Sequence, residues 1–388
     1  MTIKNSAFIV GAYEHPTRHA PDKSLTQLHA ECAVGAIADA GLSKNDIDAY
    51  YFAGDASGLS AMSLVDYMNL KVRHVDCTET GGTSYLIHVS HAAQAIAAGK
   101  CNAALITLAG KPRSEGSSGA VPRATADASP EAQWEAPFSA TTVNLYALCA
   151  QRHMHQFGTT PEQLAWVKVA ASHHAQYNPN AMLKNVVTVE DVVNSPLVSS
   201  PLHRLDCCVV SDGGGALIVA RPEIAKSLER PRVAVLGAGE AIKGQNGGEI
   251  DLMTSGAAIA GPIAFAEAGV TPADIKYASI YDSFTITVVM QLEDPGFCKK
   301  GEGGRFVADG GLIAGTGKLP FNTDGGGLCN NHPSNRGGMT KVIEAVRQLR
   351  GEAHPKLQVP NCNLALAQGT GGRLGSRHAS ATLIMERQ

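Results

Sequence analysis

Residues 36–47 read AIADAGLSKNDI and residues 264–275 read AFAEAGVTPADI. Six of the twelve positions are identical and four more are conservative. A β-like run follows each segment, AYYFAGD after the first and YASIYDS after the second. A later helical pattern also ends alike in the two halves, at Gly99 and at Gly351. Chance likeness between two amphipathic helices would not carry the same order of elements behind them. The chain reads as two copies of one α/β unit.

Around the first copy the hydrophobic periods alternate. Ser6 to Ala12 reads as a short apolar strand, and Leu25 to Ala40 as a helix closed by Gly41. Asp48 to Gly54 returns as a strand, and Val75 to Gly82 is a strand entering a Gly-rich turn. Ser84 to Ala98 is helical and Ala103 to Ala109 is a strand, so the fold class is α/β and layered. From Lys111 to Pro137 the chain turns to Ser, Gly, Pro and Ala, as a surface loop or lid would. Helices are predicted at Thr142–Phe157, Thr160–Gln176 and Thr188–Asn194, then a strand pair over Cys207–Ala220, broken at Ser211-Asp212-Gly213. The expected division is an N-terminal half, 1–225, with a loop domain at about 111–195, and a C-terminal half, 226–388.

Composition removes several function classes. A chain of 388 residues exceeds one ordinary domain. The net charge of −3, without a run of Lys or Arg, argues against nucleic acid as a partner. No stretch of 18 apolar residues is present, so no membrane partner is expected. Nine scattered cysteines without a CxxC pair suggest neither a metal site nor a disulfide framework, and so a reduced, cytoplasmic protein.

Four stretches carry a family resemblance: SPLHRLDCCVVSDGGGALIVA (200–220), YDSFT (281–285), NTDGGGLCNNHPSNRGG (322–338) and LAQGTGGRLGSRHASATLI (366–384). In this order and spacing the chain resembles the thiolase superfamily, most of all the sterol-carrier-protein-type thiolases. The resemblance implies a thiolase fold: two duplicated α/β halves in a five-layered αβαβα sandwich with an inserted loop domain. It also implies a coenzyme A thioester as substrate, no bound cofactor, and a homodimer or higher oligomer.

The same resemblance assigns residues. His332 sits where thiolases carry the His that activates the nucleophile and donates to the thioester oxygen. Tyr281 replaces the residue that orients an oxyanion-hole water, and its own hydroxyl could serve there, beside Asp282. Thiolases place a nucleophilic Cys at the N-terminus of the helix ending here at Gly99, where the helix dipole lowers the thiol pKa. Aligning AAQAIAAG (92–99) puts Gly82 at that position, and a slip of one or two residues offers Thr83 or Ser84, so Ser84 is carried as the catalytic candidate. Gly81, Gly82, Thr83, Asp282, Asn331, Ser334, Gly371 and Gly372 are the substrate-binding candidates. Cys77 falls five residues early, towards the preceding strand, and reads as a buried strand-end Cys. Cys362 precedes the last Gly turn, where the family's second Cys has no match, and reads as core. Cys329 reads as structural, and His378 as a residue reaching the site or lying at the surface. Arg113, Arg123 and Arg204 are candidates for coenzyme A phosphates by charge alone.

The leading expectation is acyl transfer of the acetyl-CoA acetyltransferase kind, making or breaking a C–C bond. One alternative is a thiolase-like aldolase cleaving a β-hydroxyacyl-CoA, since that subgroup carries Tyr in the YDxF motif and lacks the Cys. This chain keeps His332, which members of that subgroup tend to replace. A small zinc- and OB-fold-containing partner protein is usual there. The other alternative is a non-catalytic lipid- or acyl-CoA-binding subunit.

Overall fold

The two copies of the repeat fold alike, down to their capping. In a computed structural model describing residues 2–117, 133, 136–138, 141–244, 249–333 and 337–388, both helices end at a left-handed Gly, Gly41 and Gly269. A 3₁₀ turn follows each. In one, Ser43 Oγ donates to Asp46 Oδ2 at 2.7 Å; in the other, Thr271 Oγ1 donates to Asp274 Oδ2 at 2.7 Å. The chain then enters a strand.

In chain order the first half holds β1 (Phe8–Glu14), α1 (Leu25–Asp39), β2 (Ala49–Phe52), α2 (Ala61–Tyr67), β3 (His74–Asp76), α3 (Ser84–Ala97) and β4 (Ala103–Gly110). Next come α4 (Thr142–Phe157), α5 (Pro161–Ala175), α6 (Val189–Val193), β5 (Leu197–Ser199), β6 (Leu202–His203), β7 (Gly213–Ala220) and α7 (Pro222–Lys226). Then follow β8 (Val233–Lys243), α8 (Ala257–Ala268), β9 (Tyr277–Ile280), α9 (Thr285–Glu293), α10 (Gly303–Val307), α11 (Gly326–Cys329), α12 (Gly338–Arg350), β10 (Leu364–Gly372) and β11 (His378–Arg387).

Among the described residues nine strands are joined in the order β3-β2-β4-β7-β1-β8-β11-β10-β9. The two halves meet where β1 pairs antiparallel with β8, Phe8 opposite Ala234 and Ile9 opposite Val233. Helix α1 covers β1, β4 and β7 from outside, and α8 covers β8 and β11. Helices α3 and α12 touch each other and strands of both halves, which makes them the central layer of an αβαβα sandwich. Their sequences explain the placement. In α3 (SYLIHVSHAAQAIA) eleven side chains on all sides are buried, as an interior helix requires. Tyr85, Leu86, Val89, Met339, Ile343 and Val346 pack with Ile106, Leu217, Val235 and Leu383. Each large apolar side chain buried there contributes about 1.5–3 kcal/mol.

Two expected strands are shorter than their sequences suggest. The strand predicted over Val75–Gly82 ends at Asp76, and residues 80 and 82 form only an isolated bridge. The pair predicted from Cys207 begins at Gly213. The residues before it give their backbone to the loops of the second half instead: Cys208 N donates to Ser283 O and Val209 N to Gly327 O, both at 2.9 Å. The Ser- and Gly-rich stretch expected as a lid lies largely outside the described residues. Helices α4, α5 and α6 follow it, with α4 and α5 seated on α9.

Candidate active site

Strand β9 pairs parallel with β10, and Tyr281 N continues the ladder onto Gln368 O at 2.9 Å. That pairing delivers the Tyr281 ring to the point where the four family stretches converge. The ring lies against Gly82, just before α3, and any Cβ at Gly82 would overlap it. The same Cβ would stand 2.6 Å from Thr370 O, at the end of β10. Gly371 passes Thr80 O, and Gly338 at the start of α12 passes Gly82 O, too closely for any side chain. Gly82 and Gly371 are therefore required by contact distance between backbones.

The Tyr281 hydroxyl meets His332 Nε2 at 2.8 Å, and Gly337 N donates to the phenol oxygen at 3.3 Å. The two rings stand edge to face, 84° apart, and are 4% and 7% exposed. Burial lowers the His332 pKa to about 4, with the Asp282 charge opposing and Lys341 adding to the shift. Burial, then the neighbouring Cys208 and Tyr146, push the Tyr281 hydroxyl well above its usual 10. Both groups are neutral at pH 7, with one proton between phenol oxygen and imidazole nitrogen. Such a pair can take a proton from a substrate and return one. A pH profile of kcat/KM should accordingly keep its rate through pH 6.5 and show an acid limb near the His332 value of about 4. A limb at 6.5 would mean that His332 is not the group.

Asp282 faces the loop that carries His332. Its carboxylate accepts from Gly327 N at 2.8 Å, Leu328 N at 3.1 Å and Lys341 Nζ at 3.1 Å. The Asp282 and Lys341 side chains are 0% and 1% exposed. Burial alone would lower the Lys341 pKa, but Asp282 and Asp324 outweigh it and leave the pKa raised.

The other sequence candidates divide. Gly81 passes 3.1 Å from the Cα of Gly371, measured from the position its Cβ would take, and Gly372 takes a positive φ at the β10–β11 hairpin. Thr83 Oγ1 donates to Ala379 O of β11 at 3.2 Å, and Ser84 Oγ accepts from Thr80 N at 2.8 Å, so both hydroxyls are engaged with backbone, the first across the halves and the second locally. Asn331 precedes His332 and donates to Glu14 Oε1 at 2.5 Å. Ser334 and Arg123 lie outside the described residues. Arg113 and Arg204 are exposed.

Cys77 is exposed, one residue past β3, where burial of its sulfur and the Asp76 charge raise its pKa; this corrects the reading of it as buried. Cys329 and Cys362 are buried, and burial raises both thiols, Cys362 to about 12. His378 is 1% exposed, which removes the surface alternative, and burial with nearby Lys243 lowers its pKa to about 3.

Sequence reasoning passed over Tyr146, Cys208 and Ser211. Tyr146 comes from α4, its ring lies 4.4 Å from that of Phe284 at a tilt of 35°, and its hydroxyl interacts with Ser283 and Thr370. Nothing in its own segment marks it. Ser211 Oγ accepts from His332 N at 2.9 Å. Both Ser211 and Cys208 lie inside the quoted 200–220 stretch, which was the available signal.

The family model described as "Thiolase C-terminal domain-like" matches residues 239–387. The chain is 34% identical over 368 residues to an acetyl-CoA acetyltransferase of Methanothermobacter thermautotrophicus, covering 92% of this chain and 93% of that protein. It is 35% identical over 370 residues to a steroid side-chain-cleaving aldolase of Thermomonospora curvata, covering 90% and 91%. It superposes on a chain of the Ltp2-ChsH2(DUF35) aldolase with a TM-score of 0.89 at 31% identity, covering 99% of this chain and 98% of that one. With the duplicated halves, the layer order and these whole-length relatives in agreement, the chain belongs to the thiolase superfamily.

Proposed function

We propose that this protein is a thiolase-like carbon–carbon lyase that cleaves a β-hydroxyacyl-CoA by a retro-aldol route. The observation that carries the reading is the Tyr281 ring lying against Gly82, with its hydroxyl bonded to His332. The alignment of residues 92–99 sets Gly82 where thiolases of the acyl-transfer type carry a nucleophilic Cys, and the Tyr281 ring lies against that residue, which has no side chain. The Tyr281–His332 pair takes the proton of the β-hydroxyl. The Cα–Cβ bond then breaks, its electron pair passes into the thioester enolate, and the β-carbon becomes a carbonyl. The enolate oxygen is held by hydrogen-bond donors of the Gly-rich loops. A proton returned to the α-carbon completes the shortened acyl-CoA, so no outside reactant is consumed. Coenzyme A enters as part of the substrate, and the side chains do the rest without a bound cofactor.

Acyl transfer is the second reading, favoured by identity with the acetyl-CoA acetyltransferase. It needs a nucleophile, and the raised thiol pKa of Cys77, Cys329 and Cys362 weighs against each of them. One experiment separates the two. After alkylation of accessible thiols, the protein is given a β-hydroxyacyl-CoA with a tertiary alcohol, and ketone and acyl-CoA are followed. Cleavage that survives alkylation is expected. No cleavage, with a covalent acyl group found by peptide mass spectrometry after incubation with acetyl-CoA, would replace the lyase by an acyltransferase.

The assembly completes the proposal. Strand β3 is an open sheet edge with Val75 54% exposed, and Met62 and Tyr67 of α2 are exposed as well, which supports pairing into a homodimer. A small zinc- and OB-fold-containing partner is supported by the likeness to the Ltp2-ChsH2(DUF35) aldolase. No helix among the described residues is long and apolar enough to cross a membrane. All nine cysteines are unpaired, which supports a cytoplasmic place.

A further inference from the structure

The loop bearing His332 belongs to the second half of the chain, yet the first half holds it. Glu14, the last residue of β1, has a side chain only 5% exposed. Its carboxylate accepts from Asn331 Nδ2 at 2.5 Å, Asn330 Nδ2 at 3.2 Å, Arg18 at 2.5 Å and Arg347 at 3.1 Å. Arg18 grips the same loop independently: it donates to Asn330 Oδ1 at 2.7 Å and to Asn330 O at 3.2 Å. Asn330 is tied in turn to Asp324 Oδ2 at 3.0 Å. Ser211 and Pro333 form a bridge on the far side of His332. Burial would raise the Glu14 pKa, but Arg18 and Arg347 outweigh it and bring it to about 2, so the group stays ionised wherever the enzyme works. A buried carboxylate with four donors is costly to disturb and geometrically specific.

We propose that Glu14 is a positioning residue for the lyase reaction: with Arg18 it fixes Asn330 and Asn331, and so sets where His332 Nε2 stands against the Tyr281 hydroxyl. Glu14 itself does not touch the reacting atoms. It acts through two asparagines more than three hundred residues away in sequence, at separations of 316 and 317. The proposal rests on the lyase reading for its rate effect and on geometry alone for its structural effect.

The test uses Glu14→Gln, Asn331→Ala and the double variant of the full chain. Glu14→Gln keeps the shape and loses the charge that binds the two arginines. A displacement of about 1 Å at His332 lowers kcat by about 10²-fold, with KM within about twofold. If Glu14 acts through Asn331, the double variant is no slower than the slower single one, because interacting residues are not additive. In ¹⁵N-histidine spectra, assigned with His332→Gln, the His332 Nε2 resonance moves in both single variants. That readout needs no turnover, so it stands even if the wild type does not cleave β-hydroxyacyl-CoA. Should Glu14→Gln not fold, Asn331→Ala alone carries the same expected kcat loss and resonance shift. An unmoved His332 resonance, or losses that add in the double variant, would overturn the proposal.

Discussion

Tyr281→Phe lowers kcat for carbon–carbon cleavage by about 10²–10⁴-fold, the range of a general acid–base group, with little change in KM. The phenylalanine ring keeps its place against Gly82, because the overlap that requires glycine there involves ring carbons, not the hydroxyl. What disappears is the 2.8 Å bond to His332 Nε2 and the acceptor for Gly337 N. The imidazole nitrogen is then left in a buried site without its partner, at a stability cost of about 1–3 kcal/mol. The substitution thus separates chemistry from packing. Steady-state kinetics on a β-hydroxyacyl-CoA, with a denaturation curve for each protein, provide the measurement. A variant of normal turnover would remove Tyr281 from the reaction and leave the ring as a filler over Gly82.

Lys341→Met destabilises the fold by about 3–5 kcal/mol, the usual cost of removing one member of a buried ion pair. Lys341 and Asp282 are 1% and 0% exposed in their side chains and 3.1 Å apart. Methionine matches the stem of lysine in length, so lost packing is small and the effect isolates the orphaned Asp282 charge. Asp282 still receives Gly327 N and Leu328 N. Those two amides stabilise the carboxylate without neutralising it. Adding Asp282→Asn to Lys341→Met should recover part of the loss, since the uncompensated charge is gone. Urea titrations of the two variants give the comparison. A Lys341→Met protein within about 1 kcal/mol of the wild type would show that the pair contributes little.

Much of this molecule was readable along the chain. The repeat at 36–47 and 264–275 announced two α/β units because a helix, its Gly stop, a capped turn and a strand are all local structures. Ser43 with Asp46 and Thr271 with Asp274 lie within four residues of each other, and nothing distant is needed to form them. The helix α3 was predicted from its period and its Gly end, and its burial on every side follows from its composition. Reading failed where backbone is claimed by distant partners. Residues 207–212 have the β-forming composition of a strand, yet the amides of Cys208 and Val209 serve Ser283 and Gly327, and that of Asp212 serves Arg18, instead of a sheet neighbour. Cys77 looked like a strand-end core residue, but β3 stops at Asp76 and leaves it exposed.

By itself the sequence determined the α/β class and the duplication, since each depends on residue type and on near neighbours; Tyr281 and His332 became candidates through the resemblance of their stretches to the thiolase family. Only the tertiary structure decided that these two meet. Their contact depends on β9 pairing with β10 and on a loop held by Glu14, Arg18 and Ser211 of the other half. It also decided that Gly82 is closed off by a phenol. Contact distances between residues hundreds of positions apart are set by how two halves pack, and no local pattern in either half encodes them.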